Sequence, residues 1–374
     1  MRRISTKESS VSMKNHRMNL HQIAEIGFQE FQTKAYLYEQ VKNCGAVVHE
    51  VGETGLVLYF DNQKEKTIAF RTDIDALPIL EETGLPFASK REGFMHACGH
   101  DGHMAMLLGL TDYIAKNREK MKYNIVLIYQ PSEEIAGGAK SILDSGLLQH
   151  YQVQAIFGFH LWPTLEEGAV FSKSGPLMAQ SSETDIQIFG KSAHIASSSE
   201  GIDSLEVAVR LMSEIYDYEK KLPEEMLHLL KFGEIHGGVI RNVLAQEVTI
   251  KGSIRSYSPL HQQEIKDSLR KIANRFEEEF QAKIEFIYND GYPAVLNNSE
   301  LFDKIKSIST LRVLEHPVLQ AEDFGVYTEH FPCVFFFLGV GDVPALHNPK
   351  FDFNMDVLDN GLEFYKALLE IENY

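Results

Sequence analysis

The chain has 374 residues, of which 44% are hydrophobic and 24% charged, a composition typical of folded globular proteins. This length suits two domains, since single domains usually have ~100 to 200 residues. Acidic residues exceed basic ones by 53 to 36, and the resulting net charge of −17 argues against nucleic acid and anionic membranes as partners.

The cysteines and the N-terminus indicate a cytoplasmic protein. Cys44, Cys98 and Cys333 are an odd number of widely spaced cysteines, which fits reduced thiols better than a disulfide framework. The first residues lack the apolar run of a secretion signal, and no later segment approaches ~20 consecutive apolar residues. Met1 and Met13 are both candidate start sites, so the first dozen residues carry no prediction of fold.

Short β-rich runs alternate with helical patterns in the first half of the chain, as they do in βαβ units. We predict strands at 56–60, 67–73, 124–130 and 155–160, with a helix at about 102–115 between the second and the third. The strand at 124–130, NIVLIYQ, is almost wholly apolar, which is typical of a strand covered by helices on both faces. The expected fold class is therefore α/β, with a central parallel or mixed sheet flanked by helices.

A second pattern begins near residue 177 and has the order β-α-β-β-α-β, which predicts an inserted α+β sandwich with its own core. Its long helices are expected at 203–221 and 259–280. The first pattern then resumes with a strand at 333–339 and a closing helix from about residue 356. We expect one domain at 13–176 and 292–374, and the insertion at 177–291.

The segment MHACGHDGH, residues 95–103, is the strongest local sign of chemistry. It places Cys98, His100 and Asp101, with His96 and His103, at the start of a predicted helix. Thiolate, imidazole and carboxylate groups bind borderline transition metals, and this pattern favours Cys98 and His100 as ligands. The alternative is a polar turn that caps the helix.

Two adjacent glutamates, Glu133 and Glu134, follow the apolar strand at 124–130 and precede a Gly-rich turn. Catalytic groups of open α/β sheets gather at the carboxyl ends of strands. Consecutive residues of an extended strand point to opposite faces, so both can serve one site only if the backbone is already turning after Pro131. The alternative is a pair of carboxylates favoured by a helix dipole.

Two further histidines occupy similar positions. His160 ends the strand at 155–160, and His347 follows the strand at 333–339 and a loop. A lone histidine is more often an ordinary hydrogen-bonded residue than a ligand, but several strand ends that carry His or Glu are a less plausible coincidence. Together the chain offers five candidate ligands: Cys98, His100, Glu134, His160 and His347.

The order of these motifs resembles the aminoacylase and carboxypeptidase-like family of dinuclear metal amidohydrolases. The resemblance rests on nine segments in series: HRMNLHQ, FRTDIDALPI, MHACGHDGH, QPSEE with GGA, the His160 strand, GKSAH, RNVLAQ with GSIRS, AEDFG and LHNPKF. It implies a catalytic domain like that of zinc exopeptidases and a lid or dimerisation domain in the insertion. One departure is visible, since Ile23 and Ala24 stand where the family usually has Pro before Glu25.

The resemblance also implies roles for individual residues. The five candidate ligands would hold two divalent ions, Mn, Zn, Co or Ni, and Glu133 would act as general base and acid, with Asp73 as a further catalytic residue. His194, Asn242 and Arg255 would bind the substrate carboxylate or the developing oxyanion, with His194 acting across the interface of a homodimer or higher oligomer. Without the resemblance, these last three would be ordinary surface polar residues of a sandwich.

Within the family, segments such as IRSYSP and AEDFGVY most resemble members that release acetate from N-acetyl-LL-diaminopimelate during lysine biosynthesis. Other N-acyl amino acids, among them hippurate and N-acetylcysteine, and carboxypeptidase activity are the alternatives. A rival mechanism would use Cys98 as nucleophile with a histidine as base. A non-enzymatic rival is a metal-binding module without catalysis.

Overall fold

The computed structural model describes residues 6–135 and 137–374. Its helices in chain order are α1 (Thr6–His21), α2 (Phe31–Val41), α3 (His100–Lys116), α4 (Gly138–Asp144), α5 (Leu147–His150), α6 (Ser204–Glu219), α7 (Pro259–Phe280), α8 (Ser299–Ile305), α9 (Gly325–Thr328) and α10 (Val357–Glu370). The strands are β1 (Val47–Val51), β2 (Gly55–Phe60), β3 (Thr67–Asp73), β4 (Asn124–Gln130), β5 (Val153–Trp162), β6 (Val170–Ser172), β7 (Gly175–Met178), β8 (Gln180–Phe189), β9 (His228–Gly237), β10 (Glu247–Ser256), β11 (Lys283–Asp290), β12 (Val295–Asn297), β13 (Leu311–Val313) and β14 (Cys333–Gly339).

The described chain forms two compact units. The first comprises the residues up to Leu177, then Leu296–Pro317 and Asp323–Tyr374, and the second comprises Met178–Val295 and Val318–Glu322. The short segment Val318–Glu322 joins the second unit because Val318 bridges to Met178 and the Gln320 carbonyl accepts the Ala179 N–H at 3.0 Å.

The first unit contains a mixed eight-stranded sheet with the order β1-β2-β4-β3-β5-β14-β6-β13. Strands β4, β3, β5 and β14 run parallel to one another in its centre. Every residue of β3, β4 and β14 is buried, as expected for apolar strands covered on both faces. Helices α1, α3 and α10 pack together and contribute to the large apolar core of this unit. The predicted fold class, a mixed α/β sheet flanked by helices, is confirmed.

The second unit contains a four-stranded antiparallel sheet, β11-β8-β10-β9. The residues of β8 alternate between buried and more exposed, so one face of the sheet packs against α6 and α7 in a separate core. Both helices begin with side-chain caps: Asp203 accepts two backbone N–H groups of α6, and Ser258 accepts one of α7. The predicted β-α-β-β-α-β order of this segment is confirmed.

The sequence predicted the long elements more accurately than the short ones. Strands β3, β4 and β14 and helix α7 have the predicted bounds, whereas α3 begins at His100, two residues before the predicted start. No described helix combines the length and the apolar character that a membrane crossing requires.

Candidate metal centre

The candidate site is formed by the carboxyl ends of three neighbouring parallel strands. In the registers of the sheet, Asp73 at the end of β3 pairs with Gln130 at the end of β4, and Arg71 pairs with Gly158 two residues before His160 on β5. The strands therefore end at one edge of the sheet. This edge is where ligands of open α/β sheets bind.

A sharp turn before α3 directs two further donors to the same place. Gly99 has a φ of +85°, a left-handed conformation that glycine adopts at no steric cost. The turn leaves Cys98 on one side of Gly99 and His100, the first residue of α3, on the other. Both side chains are buried, and their donor atoms lie close to that of His160 on β5.

The five candidate ligands and Glu133 lie in one cluster. The donor atoms of Cys98, His100 and His160 lie within 4.8 Å of one another, and so do those of Cys98, Glu134 and His347. The Cys98 Sγ lies 3.3 Å from His160 Nε2, and the His347 Nε2 lies 3.2 Å from Glu134 Oε1. Glu133 joins through a third group that it forms with His100 and Glu134.

The backbone orients two of the imidazoles for metal binding. His100 Nδ1 lies 2.9 Å from the Asp75 carbonyl, and His160 Nδ1 lies 2.7 Å from the Leu161 carbonyl. Because a carbonyl can only accept, each Nδ1 carries a proton and each ring turns its Nε2 to the cluster, where a bound metal would take the place of any proton on that nitrogen. Within the described part of the chain, the buried His100 Nε2 makes no hydrogen bond. A cation would satisfy it, so these residues fit a divalent metal.

The carboxylates of the cluster favour positive charge. Burial alone would lower the pKa of His100, but Asp73, Asp75 and Glu134 outweigh it and raise that pKa to about 10. Burial raises the pKa of the Cys98 thiol well above its usual range, and the two neighbouring glutamates raise it further. A cysteine nucleophile needs a lowered pKa, so this setting disfavours Cys98 as a nucleophile and suits it as a ligand whose charge a metal would stabilise.

His96 and His103 are buried but differ from the candidate ligands. His103 uses both nitrogens, since Nδ1 donates to Asp73 Oδ1 at 2.7 Å and Nε2 accepts the Leu161 N–H at 2.9 Å. His96 makes no hydrogen bond through either nitrogen within the described residues, and burial lowers its pKa to about 4. His103 forms a group of donor atoms with Asp73 and the candidate ligand His100, but neither histidine forms such a group with Cys98 or Glu134.

Asp73 and Glu133 have different surroundings. Asp73 is wholly buried, pairs with Arg71 at 2.9 Å and lies 3.8 Å from His100 Nε2. Glu133 accepts the Asp323 N–H at 3.3 Å through Oε1. The catalytic role of Asp73 stays a prediction, and its contacts are those of a residue that orients its neighbours.

Sequence reasoning missed Asp75. Its Oδ1 lies 3.3 Å from His100 Nδ1, and its Oδ2 accepts the Glu134 N–H at 2.9 Å, so it contacts two candidate ligands. The segment TDID offered a signal, since Asp73 ends a buried strand and Asp75 follows it, at the edge where the site forms.

The three predicted substrate residues lie in the second unit, and one chain does not bring them together. His194 and Asn242 are exposed and close, because the Ile195 N–H donates to the Asn242 carbonyl at 3.0 Å. They follow β8 and precede β10 at the sheet end where Phe189 pairs with Glu247. Arg255 pairs with Ser181, eight positions further along β10. At ~3.3 Å per residue, Arg255 lies roughly 26 Å from that end.

The fold and the donor set define a class of protein, an α/β protein whose sheet edge carries a largely buried cluster of nitrogen, oxygen and sulfur donors suited to divalent metals, with His347 on its exposed side. Residues 69–371 match Peptidase family M20/M25/M40, and the chain belongs to this family. It is therefore a hydrolase of amide bonds, and the predicted resemblance is confirmed.

Curated relatives cover nearly the whole chain. An N-acetyldiaminopimelate deacetylase of Listeria monocytogenes serotype 4a is 36% identical, over 93% of this chain and 97% of its own length. The enzyme of the same name from Shouchella clausii is 33% identical, over 94% and 96%. The YXEP protein of Bacillus subtilis, described as a dinuclear metal binding peptidase from the M20 family, superposes with a TM-score of 0.85 at 29% identity, over 98% and 99%.

Proposed function

We propose that the chain removes the acetyl group from N-acetyl-diaminopimelate, using two divalent ions held by Cys98, His100, Glu134, His160 and His347. The observation that carries the proposal is the convergence of these donor atoms beside Glu133 at one edge of the sheet. The names of the curated relatives support the substrate. The products would be acetate and diaminopimelate, which fits the predicted place in lysine biosynthesis, and the cytoplasmic location stays a prediction.

Glu133 is the proposed general base and acid. When bound, divalent ions would polarise the amide carbonyl and make water more acidic. Glu133 would accept the proton of that water and deliver it to the leaving nitrogen, since an amide nitrogen must be protonated to depart. The hydrogen bond from the Asp323 N–H to Glu133 Oε1 helps to hold the carboxylate in place for both transfers.

The two adjacent glutamates provide the test of this assignment. Glu133→Gln should retain the metal and lower turnover of N-acetyl-diaminopimelate by ~100-fold or more, because it removes the proton acceptor. Glu134→Gln should instead lower the metal content after dialysis. Metal analysis and kinetics on the same preparations separate the roles, and the reverse pattern would exchange them.

A substrate screen tests the chemistry itself. Purified protein with added Mn should hydrolyse N-acetyl-diaminopimelate faster than hippurate or N-acetylcysteine. EDTA should abolish the activity, and Mn, Co, Zn or Ni should restore it. Activity that survives EDTA and is lost with iodoacetamide would support the thiol mechanism instead.

We also propose that two copies of the chain form the complete substrate site. His194 and Asn242 lie in loops beyond one end of the sheet, and Arg255 lies roughly 26 Å along β10 from that end, so we do not expect a small substrate to contact all three within one chain. An exposed apolar groove adjoins the first two, formed by Ile195, Leu205, Val239, Ile240 and Val243. Exposed apolar surface of this kind is typical of an interface between protein chains.

Mixing two inactive variants tests whether His194 acts across the interface. Glu133→Gln and His194→Ala should each be inactive alone. In an equal mixture, half of the randomly formed dimers contain one copy of each variant. If His194 completes the site of the partner, each of these hybrids has one intact site out of two, so activity returns to about a quarter of wild type. A mixture that stays inactive, although sedimentation shows dimers and subunit exchange, would contradict the proposal.

A further inference from the structure

Three buried carboxylates hold the segment that carries Glu133 and Glu134, residues 131–135, which we call the glutamate loop. Glu30 Oε1 accepts the Ser132 N–H at 2.8 Å, and Asp75 Oδ2 accepts the Glu134 N–H at 2.9 Å. Asp323 Oδ2 accepts the N–H of Ala139, just after the loop, at 3.0 Å. The backbone is held from several sides, so the glutamate side chains remain directed to the cluster.

Glu30 directs its side chain to this loop rather than to the helix that it precedes. It stands at the N-cap position of α2 but makes no capping hydrogen bond to that helix. Glu25 performs that task instead, since its Oε2 accepts the N–H groups of Gln32 and Thr33, each at 2.9 Å. The side chain of Glu30, just before α2, thus binds the backbone of Ser132, 102 positions further along the chain.

The burial of Glu30 makes its contact with Ser132 costly to maintain. The residue is 0% exposed, and no basic side chain of the described residues forms a salt bridge with it. Burial raises the pKa of Glu30 to about 7, and the nearby charge of Asp75 also raises it. A buried carboxyl group without a cation destabilises a fold unless its hydrogen bonds compensate, so its presence here points to a role in placing the loop.

Ser132 needs this support because its backbone is strained. Its φ is +53°, in the left-handed region that non-glycine residues rarely adopt. The chain before α2 packs tightly against it, since a Cβ added to Gly27 would lie 2.5 Å from Ser132 Oγ. Because Glu133 follows Ser132 directly, relaxation of this conformation would redirect its side chain.

We propose that Glu30 is a positioning residue for Glu133, acting through the Ser132 N–H that it accepts. The proposal rests on the function proposed above, with Glu133 as the group that carries the proton. Glu30 fixes the left-handed conformation of Ser132, and this conformation sets the direction of Glu133.

Three variants test the role of Glu30. Glu30→Gln keeps an oxygen that can accept the Ser132 N–H and should retain kcat close to wild type. Glu30→Ala removes the acceptor and should lower kcat by ~100-fold with little change in KM, since displacement of a catalytic group by ~1 Å has an effect of this size. Glu39→Ala, which removes a carboxylate from the exposed face of the same helix α2, is the control and should leave kcat unchanged.

Hydrogen exchange provides a readout that does not depend on activity. Peptides that cover residues 130–140 should exchange faster in Glu30→Ala than in wild type, Glu30→Gln or Glu39→Ala. Equal exchange and equal kcat in Glu30→Ala and wild type would overturn the proposal. If Glu30→Ala fails to fold, Glu30→Asp, whose shorter side chain falls short of the Ser132 N–H, should show the same changes. A wild-type protein that hydrolyses no N-acyl amino acid would refute the proposed function, while the exchange data would still decide whether Glu30 holds the loop.

Discussion

The buried carboxyl group of Glu30 predicts a pH dependence of stability that one substitution should remove. Its pKa is about 7 in the folded protein against 4.5 for an ordinary glutamate. Between these values the folded chain retains a proton that the unfolded chain has released. The free energy of unfolding contributed by Glu30 is therefore fully present below pH 4.5 and is lost as the pH rises through 7.

The magnitude follows from the difference between the two pKa values. A shift from 4.5 to about 7, at ~1.4 kcal/mol per unit, corresponds to ~3 kcal/mol in total. Glu30→Gln carries no titrating group at this position, so its stability relative to wild type should rise by up to this amount between pH 4.5 and pH 8.

Urea unfolding of both proteins across this range measures the effect. The candidate metal ligands also titrate, but they are common to both proteins, and the difference between the two unfolding curves removes their contribution. Parallel pH profiles for wild type and Glu30→Gln would show that Glu30 gives up its proton as readily in the folded chain as in the unfolded one, and would refute the reasoning.

Three further predictions concern residues around the site. Arg17→Met removes the guanidinium that pairs with the buried Asp101 at 3.1 Å, and it should lower the free energy of unfolding by ~3 to 5 kcal/mol in urea titrations. The control Lys14→Met removes a surface ion pair and should lower that free energy by under ~1 kcal/mol. Equal losses in the two variants would contradict this prediction. Gly138→Ala would place a Cβ 1.9 Å from the Pro131 carbonyl oxygen, so urea unfolding should show lower stability and metal analysis should show less bound metal. Gly233→Ala is the control and should change neither quantity, because its Cβ would meet nothing within 4 Å. Asp75→Asn should weaken metal affinity by ~10 to 100-fold in chelator competition, since Asp75 contacts His100 and Glu134, and unchanged affinity would exclude that orienting role.

Part of the candidate cluster was predictable because those members follow a rule of topology. The carboxyl ends of parallel strands meet at one edge of a sheet, so an apolar strand followed by Glu133 and Glu134 and another that carries His160 place their side chains together. The glutamates share one site because the backbone turns after Pro131, as predicted, with Ser132 in a left-handed conformation.

The sequence did not reveal the residues that hold this cluster in place. Glu30 contacts Ser132 across 102 positions, and Asp323 contacts Glu133 across 190. Such contacts depend on how distant segments pack, and no local propensity or spacing encodes them.

The same division applies to the whole molecule. The sequence by itself determined which segments become strands and helices and which donors a metal could use, because hydrophobic periodicity and side-chain chemistry are local properties. Only the tertiary structure decided that Arg255 lies roughly 26 Å along β10 from the sheet end that His194 and Asn242 adjoin, because the strand register of a sheet converts positions in sequence into distances in space.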